Sequence, residues 1–230
     1  MKEIILLKAG EIALKGLNRS TFEDRLVKNC KFRLRDIGSF RFTRAQSTMY
    51  AEPLSEDIDM DDAVETLQHV FGFSKLSRAC VVEKDMDTIC AAAEEYLGRE
   101  LRKIRTFKVE AKRSDKKFPL KSPEIAAEVG GYLLSRFSNL RVDVHEPDLV
   151  IFVEIRDQAA YIHGPQLDGA GGMPVGSSGK AMLLVSGGID SPVAGYMMAK
   201  RGLEIEAIHF AAPPYTSEYA RQKVISLCRE

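Results

Sequence analysis

The sequence predicts an α/β protein with several domains, and three observations support that prediction. Strand-like and helix-like patterns alternate along most of the chain, which is the order expected when helices cover sheets. The chain has 230 residues, 45% of them hydrophobic, and this length suits one to three domains of about 100 to 200 residues each. Residues 164–180 are rich in glycine and also hold two prolines and two serines, so a linker is expected there.

The first predicted domain, residues 1–75, has its elements in the order β-α-β-β-α-β. The strands are predicted at KEIILL, FRFTR, TMYAE and KLSRACVV. A helix over residues 20–37 has its apolar residues at near-helical spacing, and a shorter helix covers residues 61–69. Because this order is that of the ferredoxin-like arrangement, we predict a ferredoxin-like α+β domain.

The second predicted domain, residues 76–165, is another compact α/β unit. It begins with a helix over residues 87–102, which the strand FKVEAKR follows. Ser122 is the predicted N-cap of the next helix, and Pro123 takes its first helical position. RVDVHEP, LVIFVEI and AAYIHG are then three predicted strands. The linker covers residues 166–179, and a third domain begins at residue 180.

Charge is segregated along a chain that is formally neutral. Residues 52–65 hold seven acidic side chains and no basic one, whereas residues 99–121 hold ten basic side chains and three acidic ones, a net charge of +7. A phosphate backbone responds to such a local field rather than to the total charge. A run of charges is more often a solvated face, so composition alone leaves both interpretations open.

Several other site classes find no support in the sequence. The N-terminus has only four consecutive apolar residues, and no segment approaches the roughly 18 of a membrane span, so a cytoplasmic protein is expected. The four cysteines are scattered without a CxxC pair and are interpreted as small buried hydrophobic residues. The Gly-Lys pair before Ala181 does not complete a Walker A loop, because Pro174 stands at the place of the first glycine.

Residues 181–191, AMLLVSGGIDS, form the pattern with the clearest chemistry. The apolar run 181–185 predicts a central parallel strand covered on both faces. A helix is predicted to begin at Pro192, with Ser191 at or next to its N-cap and Gly202 just past its end. The N–H groups at such a helix start suit a pyrophosphate. Asp190 would repel phosphates unless a cation intervenes, and magnesium is the simplest candidate.

The motif SGGIDS resembles the signature loop of the PP-loop ATP pyrophosphatases, which cleave ATP between its α- and β-phosphates. Four segments together are similar, in order along the chain, to the bacterial tRNA 4-thiouridine synthetase (ThiI) family: KAGEIALKGLNR, EAKRSDKKFPLKSPEI, GGMPVGSSGKAMLLVSGGIDSPVAGYMMAKRG and AIHFAAPPYTSE. The resemblance implies that the second domain is a THUMP RNA-binding domain. It also implies that residues 180–230 are the incomplete start of a doubly wound parallel PP-loop domain.

The resemblance further implies a reaction and its participants. A family member adenylates the uridine at position 8 of tRNA, and sulfur delivered as a persulfide by a cysteine desulfurase displaces AMP to leave 4-thiouridine. Some members also supply sulfur for thiamine thiazole synthesis. ATP and Mg²⁺ are the implied cofactors, and tRNA and the desulfurase are the implied partners, without a membrane. The oligomeric state stays open, with a homodimer as one option.

The same resemblance implies two sets of site residues. Asp190 is the implied catalytic and magnesium-binding residue, and the pyrophosphate would sit on Ser186, Gly187, Gly188, Asp190 and Ser191. Adenine would lie across the carboxyl ends of the parallel strands, which are Leu184, Val185, His209 and Phe210. The RNA would meet the side chains of Lys112, Arg113, Lys116, Lys117 and Lys121.

The chain departs from the family pattern at its end. A doubly wound domain needs about five parallel strands, and residues 180–230 supply two strands and two helices. We therefore expect a fragment that is inactive alone, with the sulfur-transfer cysteine beyond residue 230 and no such role for Cys228. Two alternatives stay open: an RNA-binding module without catalysis, and a PP-loop enzyme that activates a carboxylate or another base.

Overall fold

The computed structural model describes residues 1–45, 47–212, 215 and 217–229. Residues 213, 214 and 216 of the AIHFAAPPYTSE motif, and residue 230 of the predicted third domain, lie outside the described residues. The strands are β1 (Glu3–Ala9), β2 (Phe40–Ala45), β3 (Thr48–Pro53), β4 (Phe73–Val82), β5 (Thr106–Arg113), β6 (Arg141–Val142), β7 (Leu149–Ile155), β8 (Ala160–His163), β9 (Leu167–Asp168), β10 (Lys180–Leu184) and β11 (Glu204–Ile208). The helices are α1 (Arg19–Arg33), α2 (Met60–Gln68), α3 (Met86–Leu101), α4 (Ser122–Arg136), α5 (Asp190–Lys200) and α6 (Glu218–Arg229).

The residues group into two compact units. The first unit comprises residues 1–7, 37–64 and 75–167, and the second comprises residues 8–36, 65–74 and the described residues from 168 onward. The mixed α/β class predicted from the alternating patterns is confirmed. No helix in the part of the chain that the structure describes is long and apolar enough to cross a lipid bilayer.

One sheet runs through the first two predicted domains in the order β2-β3-β1-β4-β8-β7-β5-β6, with β9 paired to β4. Its first four strands have the neighbour order of the ferredoxin-like arrangement, as predicted. The sheet continues beyond these four strands, because β4 pairs antiparallel with β8 from Ala79 opposite His163 to Val82 opposite Ala160.

The core between α3, α4 and the strands β5, β7 and β8 follows the predicted apolar faces. Ile125, Val129 and Leu133 of α4 are fully buried, and they belong to the same cluster as Phe107 of β5. The predicted N-cap of α4 is corrected: the helix begins at Ser122, and Lys121 is its N-cap. The Ser122 hydroxyl instead accepts a hydrogen bond from the N–H of Arg113 at 3.1 Å, which ties the end of β5 to the start of α4.

Two other predicted elements are shorter in the structure. Helix α1 ends at Arg33 rather than at residue 37. Only Arg141 and Val142 of RVDVHEP form a strand, because the Asp143 carboxylate accepts bonds from the N–H groups of His145 and Glu146 at 2.9 and 3.1 Å. An aspartate that binds the backbone two or three residues ahead makes a turn and ends the strand.

Much of the glycine-rich segment is fixed by backbone hydrogen bonds within the second unit. The N–H of Gly72 donates to the carbonyl of Gly171 at 2.8 Å, and the N–H of Met173 donates to the carbonyl of Lys200 at 2.9 Å. Gly172 has φ +74°, and an added Cβ would collide with the Lys200 carbonyl oxygen. Glycine is required there, since side-chain-bearing residues rarely adopt this conformation and the backbones approach closely.

Strands β10 and β11 form a separate parallel pair, from Lys180 opposite Glu204 to Leu184 opposite Ile208. The expectation that β10 is covered on both faces is wrong for the described residues. Leu183 packs toward α5, where it lies under Gly195, but Met182 and Leu184 are 57% and 64% exposed. A continuous apolar run alone does not distinguish a strand with one covered face from a strand with two.

Candidate nucleotide-binding site and basic surface

The loop between β10 and α5 is closed by hydrogen bonds of its two serines. The N–H of Ser186 donates to the Ser191 hydroxyl at 3.2 Å, and the N–H of Gly188 donates to the Ser186 hydroxyl at 3.3 Å. The Ser191 hydroxyl lies 3.5 Å from the Ser186 carbonyl oxygen, to which it donates. The loop therefore curls back onto the first turn of α5, as a cradle for an anion would require.

The start of α5 lies two residues before the predicted position at Pro192. The helix begins at Asp190, its N-cap is Ile189 with helical φ and ψ of −82° and −22°, and no side chain caps it. An isoleucine side chain has no acceptor, so the N-cap side chain satisfies none of the N–H groups of the first turn. These groups carry the partial positive charge of the helix start.

The two loop glycines, Gly187 and Gly188, provide space for a ligand, and neither of them has a backbone conformation with positive φ. An added Cβ at Gly187 would approach the Lys223 Cδ at 3.8 Å, and one at Gly188 would approach the Ser186 Oγ at 3.4 Å. The fold itself tolerates a side chain at Gly187, so the bare backbone there favours close approach by a ligand.

Asp190 is exposed in the first turn of α5. Within the described ranges, no group of three or more His, Cys, Asp and Glu side chains could hold a metal ion. A single carboxylate fits magnesium nonetheless, because this ion takes one or two protein carboxylates and completes its shell with phosphate oxygens and water. The magnesium role of Asp190 stays a hypothesis on this basis.

The strand ends predicted to meet adenine are held together by a histidine. Val185 is 6% exposed, and its N–H donates to Ile208 at 2.9 Å. His209 Nδ1 lies 2.8 Å from the Val185 carbonyl oxygen, so Nδ1 carries the proton and Nε2 is an acceptor in the neutral ring. This Nε2 is buried without a partner in the described part of the chain. The Leu184 and Phe210 side chains are exposed.

Lys223 of α6 is a residue of this site that no sequence pattern predicted. Its side chain lies against the loop at Gly187. Two other cations of the second unit are neutralised: Arg221 of α6 pairs with Glu218 at 3.4 Å, and Arg201 after α5 pairs with Glu11 at 2.9 Å. For Lys223 no carboxylate among the described residues lies within ion-pair distance. No motif marks this lysine, because its nearness to the loop depends on where the fold places α6.

The last part of the basic stretch, residues 112–121, forms a loop from the end of β5 to the start of α4 in the first unit, and internal hydrogen bonds support this basic loop. The buried Asp115 carboxylate accepts bonds from the Lys84 ammonium at 2.7 Å and from the N–H of Lys117 at 2.9 Å. The bond from Lys84, and next that from Lys117, lowers the pKa of Asp115 below its usual value. Ser114 adds a backbone bond to Ile155 at 2.8 Å.

Among the five predicted RNA-binding residues, Arg113 differs from the four lysines. Its guanidinium donates to the carbonyls of Lys116 and Phe118 at 3.3 and 2.9 Å, and Phe118 is itself buried. Arg113 therefore holds the backbone of the loop in place through these two carbonyls. The other four side chains are exposed on it: Lys112, Lys116, Lys117 and Lys121.

Three family descriptions match successive parts of the chain. Residues 4–77 match "ThiI ferredoxin-like domain", residues 83–163 match "THUMP domain", and residues 176–229 match "Thiamine biosynthesis protein (ThiI)". A "Probable tRNA sulfurtransferase" of Acetivibrio thermocellus is 48% identical over all of this chain and 59% of its own length. The chain thus spans about three fifths of the curated relatives that it matches.

Two solved structures are similar to the whole chain. One, described as a 4-thiouridine synthetase–RNA complex with bound ATP, is 36% identical with a TM-score of 0.87, and the match covers 100% of this chain and 58% of that one. The other, from Pyrococcus horikoshii, is 29% identical with a TM-score of 0.85, and the match covers 99% and 73% of the two chains.

Proposed function

We propose, from the membership of this chain in the ThiI family, that it supplies the tRNA-binding surface and the pyrophosphate-binding loop of an enzyme that converts a tRNA uridine to 4-thiouridine. The observation that carries the proposal is the closed loop of Ser186 to Ser191 in front of an uncapped helix start. A related structure whose description includes both RNA and ATP supports it.

The loop binds the phosphates of ATP through its main chain. The N–H groups of Gly187 and of the first turn of α5 bind a pyrophosphate at the positive end of the helix, while the N–H of Gly188 holds the Ser186 hydroxyl. The hydroxyls of Ser186 and Ser191, which bond to the loop itself in this structure, rotate to donate to phosphate oxygens. The closed loop is thus a preorganised site.

The charges around the loop complement a nucleotide bound with magnesium. Asp190 would supply a carboxylate ligand for Mg²⁺, and the bound ion would screen the phosphates from that carboxylate. Lys223 approaches from α6 and donates to a phosphate oxygen. The repulsion between the Asp190 carboxylate and the phosphates is offset by two cations. The Lys223 side chain supplies one, and the metal ion would supply the other.

The reaction proceeds by activation and displacement. The uridine carbonyl oxygen attacks the α-phosphorus of ATP, and pyrophosphate leaves from the loop as the adenylate forms. The terminal sulfur of a desulfurase persulfide then attacks the carbonyl carbon of the adenylated uridine, and AMP leaves. A thiol reductant cleaves the remaining S–S bond, so that 4-thiouridine is released as the thiol is oxidised to a disulfide. The loop and Lys223 stabilise the charge that develops on pyrophosphate as it departs, which is the step at which fixed N–H donors are most effective.

The basic loop holds the substrate RNA through its phosphates. Lys112, Lys116, Lys117 and Lys121 are exposed on a frame that Asp115 and Arg113 fix. Contacts of this kind position an RNA helix, depend strongly on salt and carry little sequence information.

Two measurements on the full-length protein test the proposal. With tRNA present, we expect exchange of labelled pyrophosphate into ATP, and with a persulfide donor we expect the tRNA mass to rise by one sulfur-for-oxygen replacement. Absence of exchange would leave an RNA-binding module. Exchange without a change in tRNA mass would indicate a PP-loop enzyme that activates another substrate.

Sulfur supply for thiamine synthesis is a further proposal. It is tested by whether a strain that lacks the protein requires thiamine for growth.

A further inference from the structure

A groove in the second unit combines exposed aromatic rings with basic side chains. Its volume is about 650 Å³, which is within the range of small-ligand sites, about 300–1,000 Å³. Four parts of the second unit line the groove. Helix α1 contributes Asn29, Phe32 and Arg33, the segment after α2 contributes His69 and Phe71, the glycine-rich segment contributes Val175, and α5 contributes Tyr196. The nucleotide loop and the basic loop of the first unit contribute no residue to it.

The aromatic rings of the groove are exposed and held in place. Phe32 is 62% exposed, and the Arg35 guanidinium lies over its ring at 4.3 Å from the centroid. Tyr196 is 56% exposed and contacts Phe71 edge to face, with 5.1 Å between centroids. Fixed aromatic faces stack on a planar ligand at little entropic cost.

The charge of α1 selects the class of ligand. Residues 25–35, RLVKNCKFRLR, hold five cations and no acid, a net charge of +5, between the acidic residues Glu23, Asp24 and Asp36. Asp36 pairs with Arg35 at 3.3 Å, so the positive charge of the stretch comes mainly from its other four cations. Lys28, Lys31, Arg33 and Arg35 are exposed. A positive stripe beside stacking platforms is the combination with which proteins bind single-stranded nucleic acid, and an unpaired base is the element of RNA that aromatic side chains recognise.

We propose that this groove binds an unpaired nucleotide of the substrate RNA. The base stacks on the rings of Phe32 or Tyr196, and the flanking phosphates contact the cations of α1. The proposal rests on the proposed function, since that function makes RNA the substrate. It adds a second RNA contact that is specific for single strands, whereas the basic loop of the first unit contacts phosphates of either form.

The test compares a single-stranded oligoribonucleotide with a blunt RNA duplex of equal length, both bound to the full-length protein. Phe32→Ala combined with Tyr196→Ala is expected to weaken binding of the single strand about tenfold, the effect of one lost stacked base, and to leave duplex binding unchanged. The matched control, Phe32→Tyr with Tyr196→Phe, keeps both rings and is expected to bind like the wild type. The single Tyr219→Ala, at an exposed ring of α6 that does not line the groove, is expected to be neutral.

Photocrosslinking of the wild-type protein to a 5-bromouridine-substituted single strand gives a second measurement that needs no variant. Crosslinks are expected in the peptides that contain Phe32 and Tyr196. Unchanged single-strand binding by the alanine pair, an equal loss for strand and duplex, or crosslinks confined to other peptides would each overturn the proposal. Pyrophosphate exchange with intact tRNA is measured in parallel, so failure of the groove is distinguishable from failure of the proposed function.

Discussion

Asp190 has a charge opposite to the one a phosphate site favours, so its carboxylate is the most informative single group of the loop. Asp190→Asn keeps the size and polarity of the side chain but removes the charge that a magnesium ion needs. We expect pyrophosphate exchange and thiolation to be abolished in the full-length protein while tRNA affinity stays nearly unchanged.

The matched control for Asp190→Asn is Glu206→Gln, at an exposed carboxylate of β11 that pairs with Lys180. It removes the same charge from the same unit and is expected to leave exchange intact. Normal thiolation by the Asp190 variant would contradict the metal role and leave Asp190 as a residue of the helix start only.

Lys223 makes a distinct prediction, because it acts on phosphate charge and not on metal binding. Lys223→Ala is expected to weaken ATP binding about tenfold, which corresponds to the loss of roughly one charge-assisted hydrogen bond. Arg221→Ala is the control on the same helix, since its guanidinium pairs with Glu218. Isothermal titration of both variants with ATP measures the effect, and equal affinities for both would exclude a Lys223–phosphate contact.

These single residues mark where inference from sequence stops. The loop residues Ser186, Gly188 and Ser191 are close in sequence, so a local motif sufficed to group them, and hydrogen bonds within the loop join them. Lys223 and the pair Phe32 and Tyr196 come from separate helices. Their neighbours are set by helix packing, which no periodicity or motif in one chain specifies.

At the scale of elements, Asp115 tests whether the basic loop works through its shape. Asp115→Ala removes an anion from a cationic surface, so Coulomb attraction alone would raise RNA affinity. We expect the opposite, a several-fold loss, because the carboxylate anchors the loop through Lys84 and the N–H of Lys117. Fluorescence anisotropy with labelled tRNA measures the sign directly.

The lowered pKa of Asp115 adds a pH dependence to the same element. A carboxyl whose pKa is lower in the folded state stabilises the fold above its unfolded pKa, and this stabilisation is lost as pH falls through the folded value. The Asp115 anchor is therefore complete at neutral pH.

The control for Asp115→Ala is Asp143→Ala, since the Asp143 carboxylate makes a turn elsewhere in the first unit. An equal loss of RNA affinity in both variants would exclude a specific role for the loop.

Element order was predictable and element ends were less so. Apolar spacing identified the helices and strands of the ferredoxin-like order, since that spacing reflects which face meets the core. The end of the strand at Val142 depended on one Asx turn at Asp143. The cap of α4 depended on Ser122 bonding to Arg113 rather than to its own helix. In both cases a side chain bonds to one backbone group rather than to another, and such local alternatives compete with the regular helix or strand. A pattern of apolar residues does not show which alternative forms.

At the scale of the whole molecule, the proposed RNA-binding site and the proposed ATP-binding site belong to different compact units. The basic loop lies in the first unit, and the SGGIDS loop with Lys223 lies in the second. Because the two sites share no residue, the effects of changes in the two should be separable and nearly additive.

Charge reversal in the basic loop provides the corresponding test. Lys112→Glu combined with Lys116→Glu is expected to lower tRNA affinity and to reduce the slope of log affinity against log salt by about two phosphate contacts, each worth roughly 0.7 to 0.9. ATP affinity of the full-length protein should stay unchanged. The control, Arg99→Glu with Lys103→Glu, reverses two exposed charges of the same +7 stretch outside the loop. If both pairs flattened the salt slope equally, the RNA would be responding to the general field of the first unit rather than to the loop that Asp115 holds in place.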